Sequence, residues 1–221
     1  LDGIHVRGNQ NPCIRDNSVK ATNDDGIASI FSVNNLIVNN SVNREGTVNL
    51  AGNGIYVADK GTVVEGNYIE STPLNGITVD DHEGYQASSL KLLNNTIKNA
   101  GVVDKGIHYG GILLNFAYDS IVYGNIIDGS LYDGIRVYNG SRNTISSNTI
   151  INSHRAQQGW SGDIVLEYQS TYNSILDNMV DSETCAFKEI GWGVDYNTVH
   201  FHESISGEID VEGAFTTVGL V

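Results

Sequence analysis

Three aspartates near the start of the chain have the residue type and spacing for acid–base chemistry. Asp2 precedes Gly3, and Asp24 and Asp25 precede Gly26 in the next copy of a short repeat. If neighbouring copies stack, the carboxylates share one patch, where close like charges raise at least one pKa. A protonated acid beside an ionised carboxylate can cleave a glycosidic bond. The competing interpretation is a turn preference, because Asp or Asn precedes the glycine in most copies and only Asp24 exceeds that template.

A second candidate for chemistry is the acidic run Asp80-Asp81-His82-Glu83. A histidine at this place could act as a base and abstract a proton from a substrate carbon. The alternative interpretation is a solvent-exposed acidic insertion that carries an ordinary histidine. Both interpretations stay open at the level of the sequence.

Two phrases that alternate along the chain define the elements that must position these residues. One is a small residue followed by Gly-Ile-x-hydrophobic, as in Asn53-Gly54-Ile55-Tyr56-Val57, and the other is Asn-x-Ile/Val. The interval between copies is roughly 22 to 23 residues, and each copy shows the period-two apolar alternation of a short strand. The asparagines of the second phrase are Asn17, Asn40, Asn67, Asn95, Asn125, Asn148 and Asn178.

A repeat of this length cannot bury its own apolar face, but stacked copies bury one continuous column of Ile, Val and Leu. The pattern predicts an all-β chain folded as a right-handed, single-stranded parallel β-helix, with the asparagines hydrogen-bonded along the stack. An antiparallel sandwich is the alternative. We expect one domain over 1–221, with regular coils over about 1–184 and irregular final coils or a cap over 185–221, from a longer parent chain.

Side chains along the Gly-Ile strand alternate between the core and the outside. The residue directly after Ile therefore points outward, and so does the residue two positions after that one. These positions give two outward columns that mix aromatic, cationic, amide and carboxylate groups, as an extended polysaccharide-binding face requires. Insertions at about 43–51, 80–89, 99–109 and 153–161 flank the same strand and predict a groove walled by loops. The expected sugar contacts are Tyr56, Asp80, His82, Arg136, Tyr138 and Trp160.

Composition narrows the range of partners. The chain of 221 residues has 26 acidic and 12 basic side chains, a net charge of −14 and a pI of about 4.6. That balance argues against nucleic acid or an anionic membrane surface as a partner, and no run of about eighteen apolar residues could span a bilayer. No residue spacing specifies a metal or a cofactor, although the acidic loops could hold Ca²⁺ through oxygen ligands.

The two cysteines provide a check on the predicted stacking. Cys13 lies in the first coil and Cys185 about seven coils later. At ~4.8 Å per coil, the two thiols are too far apart to form a disulfide within one chain. We expect both cysteines to be buried as small hydrophobic side chains.

The stretches Leu1–Gly8 and Thr22–Ala28 resemble two successive coils of the polygalacturonase clan of glycoside hydrolases, which have the pectin-lyase-like β-helix fold. Within that clan, the Asn-Asp-Asp-Gly-Ile run is most similar to the bacterial α-1,3-glucanases and mycodextranases of glycoside hydrolase family 87. The resemblance implies a secreted hydrolase in which Asp2, Asp24 and Asp25 perform inverting cleavage. Our working hypothesis makes Asp25 the general acid and gives Asp2 and Asp24 the task of activating water.

The chain departs from the pectinases of that clan at the positions that bind a uronate. Gly52-Asn53-Gly54 replaces their Gly-His-Gly, and Thr78-Val79-Asp80 replaces their Arg-x-Lys. The loss of this carboxylate-binding set, together with the negative net charge, favours a neutral α-glucan over pectin as the substrate.

Two alternatives from other functional classes stay open. The run Asp80–Glu83 is similar to the Asp-Pro-His-Glu of mannuronan C5-epimerases, whose next-coil aspartate corresponds to Asn115 here. This resemblance implies a lyase or an epimerase that acts through His82. The other alternative is a non-catalytic carbohydrate-binding β-helix, such as a phage tailspike fragment. We expect an extracellular monomer, or a trimer in the tailspike case.

Overall fold

The chain winds into stacked coils, most of them built from three short strands. The first face contains β1 (Ile4–Arg7), β4 (Ile27–Val33), β7 (Ile55–Lys60), β10 (Ile77–Val79), β13 (Ile112–Asn115), β16 (Ile135–Tyr138) and β19 (Ile164–Glu167). The second face contains β2 (Cys13–Arg15), β5 (Leu36–Val38), β8 (Val63–Glu65), β11 (Lys91–Leu93), β14 (Ile121–Tyr123) and β17 (Thr144–Ser146). The third face contains β3 (Ser18–Lys20), β6 (Ser41–Asn43), β9 (Tyr68–Glu70), β12 (Thr96–Lys98), β15 (Ile126–Asp128) and β18 (Thr149–Ile151).

Four further strands follow β19 in the part of the chain that the structure describes. They are β20 (Ser174–Ile190), β21 (Thr198–Phe201), β22 (Ser206–Asp210) and β23 (Thr217–Leu220). The long strand β20 pairs with β17, β18 and β19 in turn, and parallel pairing continues from β20 to β21 and from β21 to β23. Coil 1 contains β1–β3, and the following coils are numbered in the same way up to coil 6, which contains β16–β18.

The register between coils is parallel and regular. The computed structural model describes residues 1–20, 22–45, 51–103, 109–156, 159–201, 206–213 and 215–220. On the first face, Ile4 pairs with Ile27, Ile27 with Ile55, and Ile55 with Ile77. The parallel β-helix predicted from the repeat is therefore confirmed, and the antiparallel sandwich is wrong.

Two columns of side chains hold the coils together. Ile27, Ile55 and Ile77 are fully buried in the apolar column. In the polar column that runs from Asn17 to Asn178, each asparagine Nδ2 donates to the Oδ1 of its counterpart one coil later, at 2.9–3.0 Å. The predicted asparagine ladder is confirmed. Its bonds satisfy buried amides that would otherwise oppose stacking.

The cysteines follow the strand alternation rather than their hydrophobicity. Both are free, which confirms that they do not pair, but Cys13 is exposed and only Cys185 is buried. The expectation that Cys13 is buried is wrong, because Ile14 takes the inward position of β2 and turns its neighbours outward.

The segments beside the first face are partly described. The insertions expected at 43–51, 99–109 and 153–161 each include residues outside the described ranges, whereas the segment 80–89 is described throughout. Within the described part of the chain, no helix is long and apolar enough to cross a membrane.

Candidate active site

The three aspartates singled out in the sequence come together where coils 1 and 2 enter the first face. Asp2 and Asp25 lie directly before Gly3 and Gly26, and Asp24 lies beside Asp25. One carboxylate oxygen from each lies within 4.8 Å of the other two. Asp24 is exposed, and the other two are partly buried. We call these three residues the carboxylate cluster.

Hydrogen bonds along the stack orient two of these carboxylates. Asp2 Oδ1 accepts from the backbone N–H of Asp25 at 3.2 Å, and Asp2 Oδ2 lies 2.6 Å from His5 Nδ1. Asp25 Oδ1 accepts from the backbone N–H and the Nδ2 of Asn53, at 2.6 and 3.0 Å. Asn53 Oδ1 in turn accepts from Asn75. The position before the glycine is thus a polar ladder, which explains why the repeat prefers Asp or Asn there.

The ladder engages only one oxygen of Asp25. Within the described residues, no hydrogen bond reaches its Oδ2, and Asp24 has no hydrogen-bonded partner for its carboxylate. Burial raises the pKa of Asp25 to about 6. The negative charges of Asp24 and Asp2 raise it further, and the bonds from Asn53 oppose the shift. Asp25 can therefore hold a proton in mildly acidic water while it stands next to an exposed carboxylate.

Arg44 lies behind the carboxylate cluster, and sequence reasoning missed it. Its side chain is 1% exposed, and its Nη1 and Nη2 donate to the carbonyl oxygens of Asn53 and Ala51 at 3.2 and 2.8 Å. Burial lowers the pKa of the guanidinium, and the charges of the three aspartates oppose that effect. No repeat position marks Arg44 in the sequence, because it follows β6 at the start of an insertion.

A second cluster occupies the same face on coils 3 to 5. The Tyr56 hydroxyl lies 3.4 Å from both Asp80 Oδ2 and His82 Nδ1, and Asn115 Nδ2 donates to Asp80 Oδ1 at 2.6 Å. We call these four residues the His82 cluster. Burial raises the pKa of Asp80, and the bonds from Asn115 and Tyr56 oppose the shift.

Tyr56 connects the two clusters. Burial is the main cause that raises the pKa of its hydroxyl, and the next two causes are the negative charges of Asp80 and Asp25. The hydroxyl therefore stands in the field of both groups of carboxylates. Between them, Ala28 occupies the outward position of coil 2 that pairs with Tyr56. The two candidates that the sequence presents separately lie on the same face, near enough for both to influence one hydroxyl group.

The segment after β10 forms an aromatic wall beside this surface. The Phe31 ring contacts the rings of His82 and Tyr85, each with its centroid 5.3 Å away. The cations of Arg7 and Lys60 lie over Phe31 and Tyr85, at 4.6 and 5.0 Å from the ring centroids. Phe31 belongs to β4 on coil 2, and Arg7 Nη2 lies 3.6 Å from Glu83 Oε2, so the segment reaches from coil 4 back to coil 1. A sugar chain laid along the face would meet rings on this side.

Arg136, which we expected at the sugar-binding surface, is instead enclosed. It is 2% exposed, its Nε donates to Asp133 at 2.5 Å, and its Nη1 pairs with Glu167. Its Nη2 donates to the carbonyl oxygen of Trp160 at 3.1 Å. The outward position was predicted correctly from the alternation, but the segment that carries Trp160 covers it. These partners take all three nitrogens of the buried side chain, and sugar binding by Arg136 stays a prediction.

The two remaining aromatic candidates lie near that enclosed ion pair. The Trp160 ring stacks on Tyr132, with the ring centroids 5.2 Å apart. Tyr138 is partly buried and makes edge contacts with Phe116 and Tyr168, at 6.1 and 5.4 Å. Sugar binding by Tyr138 and Trp160 stays a prediction.

The same aspartates are the described side chains best placed to hold a cation. Within the described ranges, the carboxylate cluster is the only set of three or more His, Cys, Asp or Glu side chains with ligand atoms within 4.8 Å of one another. Oxygen ligands suit Ca²⁺, which takes about six to eight of them. The cluster supplies part of such a set.

Comparison with known families agrees with the architecture. The family described as "Right handed beta helix region" matches residues 1–109 and 47–203, which together cover most of the chain. The chain belongs to the right-handed β-helix family. The predicted handedness is thereby confirmed, and no curated protein sequence is significantly similar to the chain.

Solved structures share the same fold with this β-helix. The A-module of the mannuronan C-5 epimerase AlgE4 of Azotobacter vinelandii matches with a TM-score of 0.70 and 17% identity, over 99% of this chain and 63% of that one. The A-module of AlgE6 from the same organism matches with a TM-score of 0.64 and 14% identity, over 96% and 64%. The enzymatically active domain of tailspike protein 2 of bacteriophage CBA120 matches with a TM-score of 0.62 and 12% identity, over 86% and 28%.

These comparisons concern the fold and the length of chain over which it is shared. This β-helix spans less than two thirds of the length of each of those chains. At 12–17% identity, the likeness is one of fold. The chemistry of this β-helix must therefore be argued from its own side chains.

Proposed function

We propose that this β-helix is a glycoside hydrolase that cleaves an extracellular polysaccharide along its first face. The observation that carries the proposal is the carboxylate cluster, in which a partly buried acid stands within 4.8 Å of two other carboxylates on adjacent coils. The names of the structural neighbours, two mannuronan C-5 epimerases and a tailspike, support carbohydrate as the ligand class.

The proposed reaction moves two protons. Protonated Asp25 gives its proton to the glycosidic oxygen, and the bond from that oxygen to the anomeric carbon breaks. Asp24 is exposed and takes a proton from the water molecule that forms the new bond to that carbon. Asp2, fixed by His5 and by the backbone of Asp25, holds a second negative charge close by. The cycle closes when Asp24 loses its proton and Asp25 regains one.

The stereochemical course separates two versions of this reaction. The clan resemblance implies inversion, for which the two carboxyl groups usually lie ~6.5–9.5 Å apart, whereas a retaining pair lies ~5–5.5 Å apart. The oxygens of the cluster lie within 4.8 Å, which is nearer to the retaining spacing. Proton NMR of the first-formed product anomer distinguishes the two courses.

A neutral α-glucan is the proposed substrate. The net charge of −14 repels a polyuronate, and Asn53 lies where pectinases of the resembled clan have a uronate-binding histidine. The two exposed cations near the cluster, Arg7 and Lys60, lie over aromatic rings. The aromatic wall instead offers stacking surfaces that a neutral sugar can use.

Asp25→Asn tests the proposal directly. We expect reducing-sugar release from the best substrate among α-1,3-glucan, mixed-linkage α-glucan, polygalacturonate and alginate to fall by about 10²–10⁴-fold, because the amide has no proton to donate. The amide oxygen can still accept from Asn53, so the fold should survive. The matched control is Asp119→Asn, which removes an exposed carboxylate that pairs with Arg142. Activity of Asp25→Asn within tenfold of wild type would contradict the proposal.

A second candidate function is proton abstraction from a sugar carbon at the His82 cluster. The observation that favours it is the Tyr56 hydroxyl placed 3.4 Å from both His82 Nδ1 and Asp80 Oδ2, an acid and a base in contact. Under this function, His82→Gln abolishes unsaturated or C5-inverted products from alginate, and Asp25→Asn retains them. Sugar binding with no product from any substrate would contradict both enzymes and favour a binding protein.

A further inference from the structure

Arg44 is among the largest fully buried side chains of the described residues. A buried guanidinium is costly unless charges or hydrogen bonds compensate it. Two of its nitrogens donate to the carbonyl oxygens of Ala51 and Asn53. Within the described residues its buried Nε has no hydrogen-bond partner. Among the described residues, two carbonyl oxygens accept from the guanidinium, and a nearby negative field adds to their compensation of its charge.

That field comes from the carboxylate cluster. The charges of Asp25, Asp24 and Asp2 all stabilise the Arg44 guanidinium, with Asp25 first. None of the three forms an ion pair with it, since no Arg or Lys nitrogen lies within 4.0 Å of these carboxylates in the described part of the chain. Arg44 therefore occupies none of the cluster's oxygens. Within the described residues, Asp25 Oδ2 and the Asp24 carboxylate accept no hydrogen bond, whereas both oxygens of Asp2 are bonded.

A short relay of hydrogen bonds joins Arg44 to Asp25. Arg44 Nη1 donates to the Asn53 carbonyl oxygen, and the N–H and Nδ2 of Asn53 donate to Asp25 Oδ1. The residue between Ala51 and Asn53 is Gly52, with φ of +93°. A Cβ at Gly52 would lie 2.5 Å from the carbonyl oxygen of Asp24 and 2.7 Å from Arg44 Nη1. The backbone is thus held tightly between the arginine and the aspartates.

We propose that Arg44 is the positioning residue of the carboxylate cluster: by binding the carbonyl oxygens of Ala51 and Asn53, it holds the amides of Asn53 against Asp25 Oδ1. The inference rests on the proposed function only where it treats Asp25 as the acid of a hydrolase. The position and ionisation of Asp25 can be measured without any substrate.

The charge balance around Asp25 fixes the sign of the expected effect. The groups that face it are Asp2 and Asp24, the Tyr56 hydroxyl and Arg44, with His5 on Asp2. Among these described groups, Arg44 is the cation. Removal of Arg44 loosens Asn53, whose bonds lower the pKa of Asp25, and therefore raises the pKa of Asp25.

The experiment uses Arg44→Met and Arg44→Lys, with Arg142→Met as the matched control on the second face. In Arg44→Met we expect the pKa of Asp25, followed by carboxyl-carbon NMR, to rise by about one unit or more, which is a tenfold or larger change in proton affinity. In Arg44→Lys the charge is kept, so the pKa should stay within about half a unit of wild type. The control should leave Asp25 unchanged.

Kinetics provide a readout that a merely structural role would not produce. Under the proposed hydrolase reaction, both limbs of the pH–rate profile of Arg44→Met move to higher pH, and kcat falls while KM changes little. Arg44→Lys restores the wild-type limbs. If the two substitutions only destabilised the fold, Arg44→Met and Arg44→Lys would lose activity by the same factor at every pH. The limbs of the pH–rate profile would then not shift, which would contradict the positioning role.

The wild-type protein supplies a measurement that does not depend on either variant folding. The Nε–H resonance of Arg44 should titrate with the same midpoint as the Asp25 carboxyl carbon. An Nε–H resonance that ignores the ionisation of Asp25, or an unchanged Asp25 pKa in folded Arg44→Met, overturns the inference. If the Asp25 pKa shifts as expected but no glycan is hydrolysed, the positioning role stands and the hydrolase proposal fails.

Discussion

Asp25 and Asp133 occupy the same place in the repeat, directly before the glycine that leads into a first-face strand, yet their surroundings differ. Asp133 is 2% exposed and is bonded to Arg136, which also pairs with Glu167 beneath the segment that carries Trp160. Asp25 is bonded only to the amides of Asn53, and Arg44 stands off behind it. One carboxylate is closed in an ion pair, and the other is open.

The difference lies in how the nearby guanidinium is bound. Arg136 contacts the carboxylate of Asp133 directly, whereas Arg44 binds a backbone carbonyl oxygen and leaves the carboxylate of Asp25 uncontacted. A guanidinium in direct contact occupies the oxygens of a carboxylate with charge-assisted hydrogen bonds. A guanidinium tied to backbone carbonyls supplies the field but leaves the oxygens and the proton equilibrium free. The repeat position provides a carboxylate in both places, and only Asp25 keeps an oxygen that accepts no hydrogen bond within the described residues.

Removal of Arg136 should have the largest effect on stability. In Arg136→Met, the carboxylates of Asp133 and Glu167 stay buried without their cation, and we expect the free energy of unfolding to fall by about 3–5 kcal/mol. Urea unfolding at pH 7 measures the change. The fold should recover part of the loss at low pH, where the carboxyl groups are protonated. A loss below about 1 kcal/mol would show that the pair is not the reason for the enclosure.

The pH dependence of stability should distinguish the open carboxylate. Burial raises the folded-state pKa of Asp25 to about 6, above its unfolded value of about 3.9. The contribution of this carboxyl group to the free energy of unfolding is therefore full at pH values below 3.9. It is lost as the pH rises through 6. Asp25→Asn removes this ionisation. Relative to wild type, the variant should therefore gain about 2–3 kcal/mol between pH 4 and pH 8. Urea titrations at both pH values test this, and an equal difference at the two would contradict the raised pKa.

The covering segment should make the smallest contribution. Trp160→Leu removes the stacking on Tyr132, which we expect to cost about 1 kcal/mol, and to increase the solvent access of Arg136 without changing KM. Thermal unfolding and steady-state kinetics check the two parts. A tenfold rise in KM would instead place the Trp160 ring in contact with the sugar, as the sequence alone suggested.

The repeat made part of the site predictable. Asp2 and Asp25 are one repeat apart in the sequence. The parallel register places residues one repeat apart next to each other on adjacent coils. The role of Arg44 was not predictable, because it follows β6 at the start of an insertion, where no periodicity fixes the position of a side chain. The enclosure of Arg136 was missed for the same reason: its outward position follows from alternation, but the cover that seals it comes from a non-repetitive segment.

By itself, the sequence determined the stack: the apolar alternation, the asparagine ladder and the register that gathers three aspartates on two coils. These are local properties repeated at a constant interval, so each copy reports the same structure. Only the tertiary structure decided which carboxylates stay open and which are paired, and that Tyr56 joins two clusters on one face. Those outcomes depend on contacts between segments without a repeat, whose positions are set by packing across coils.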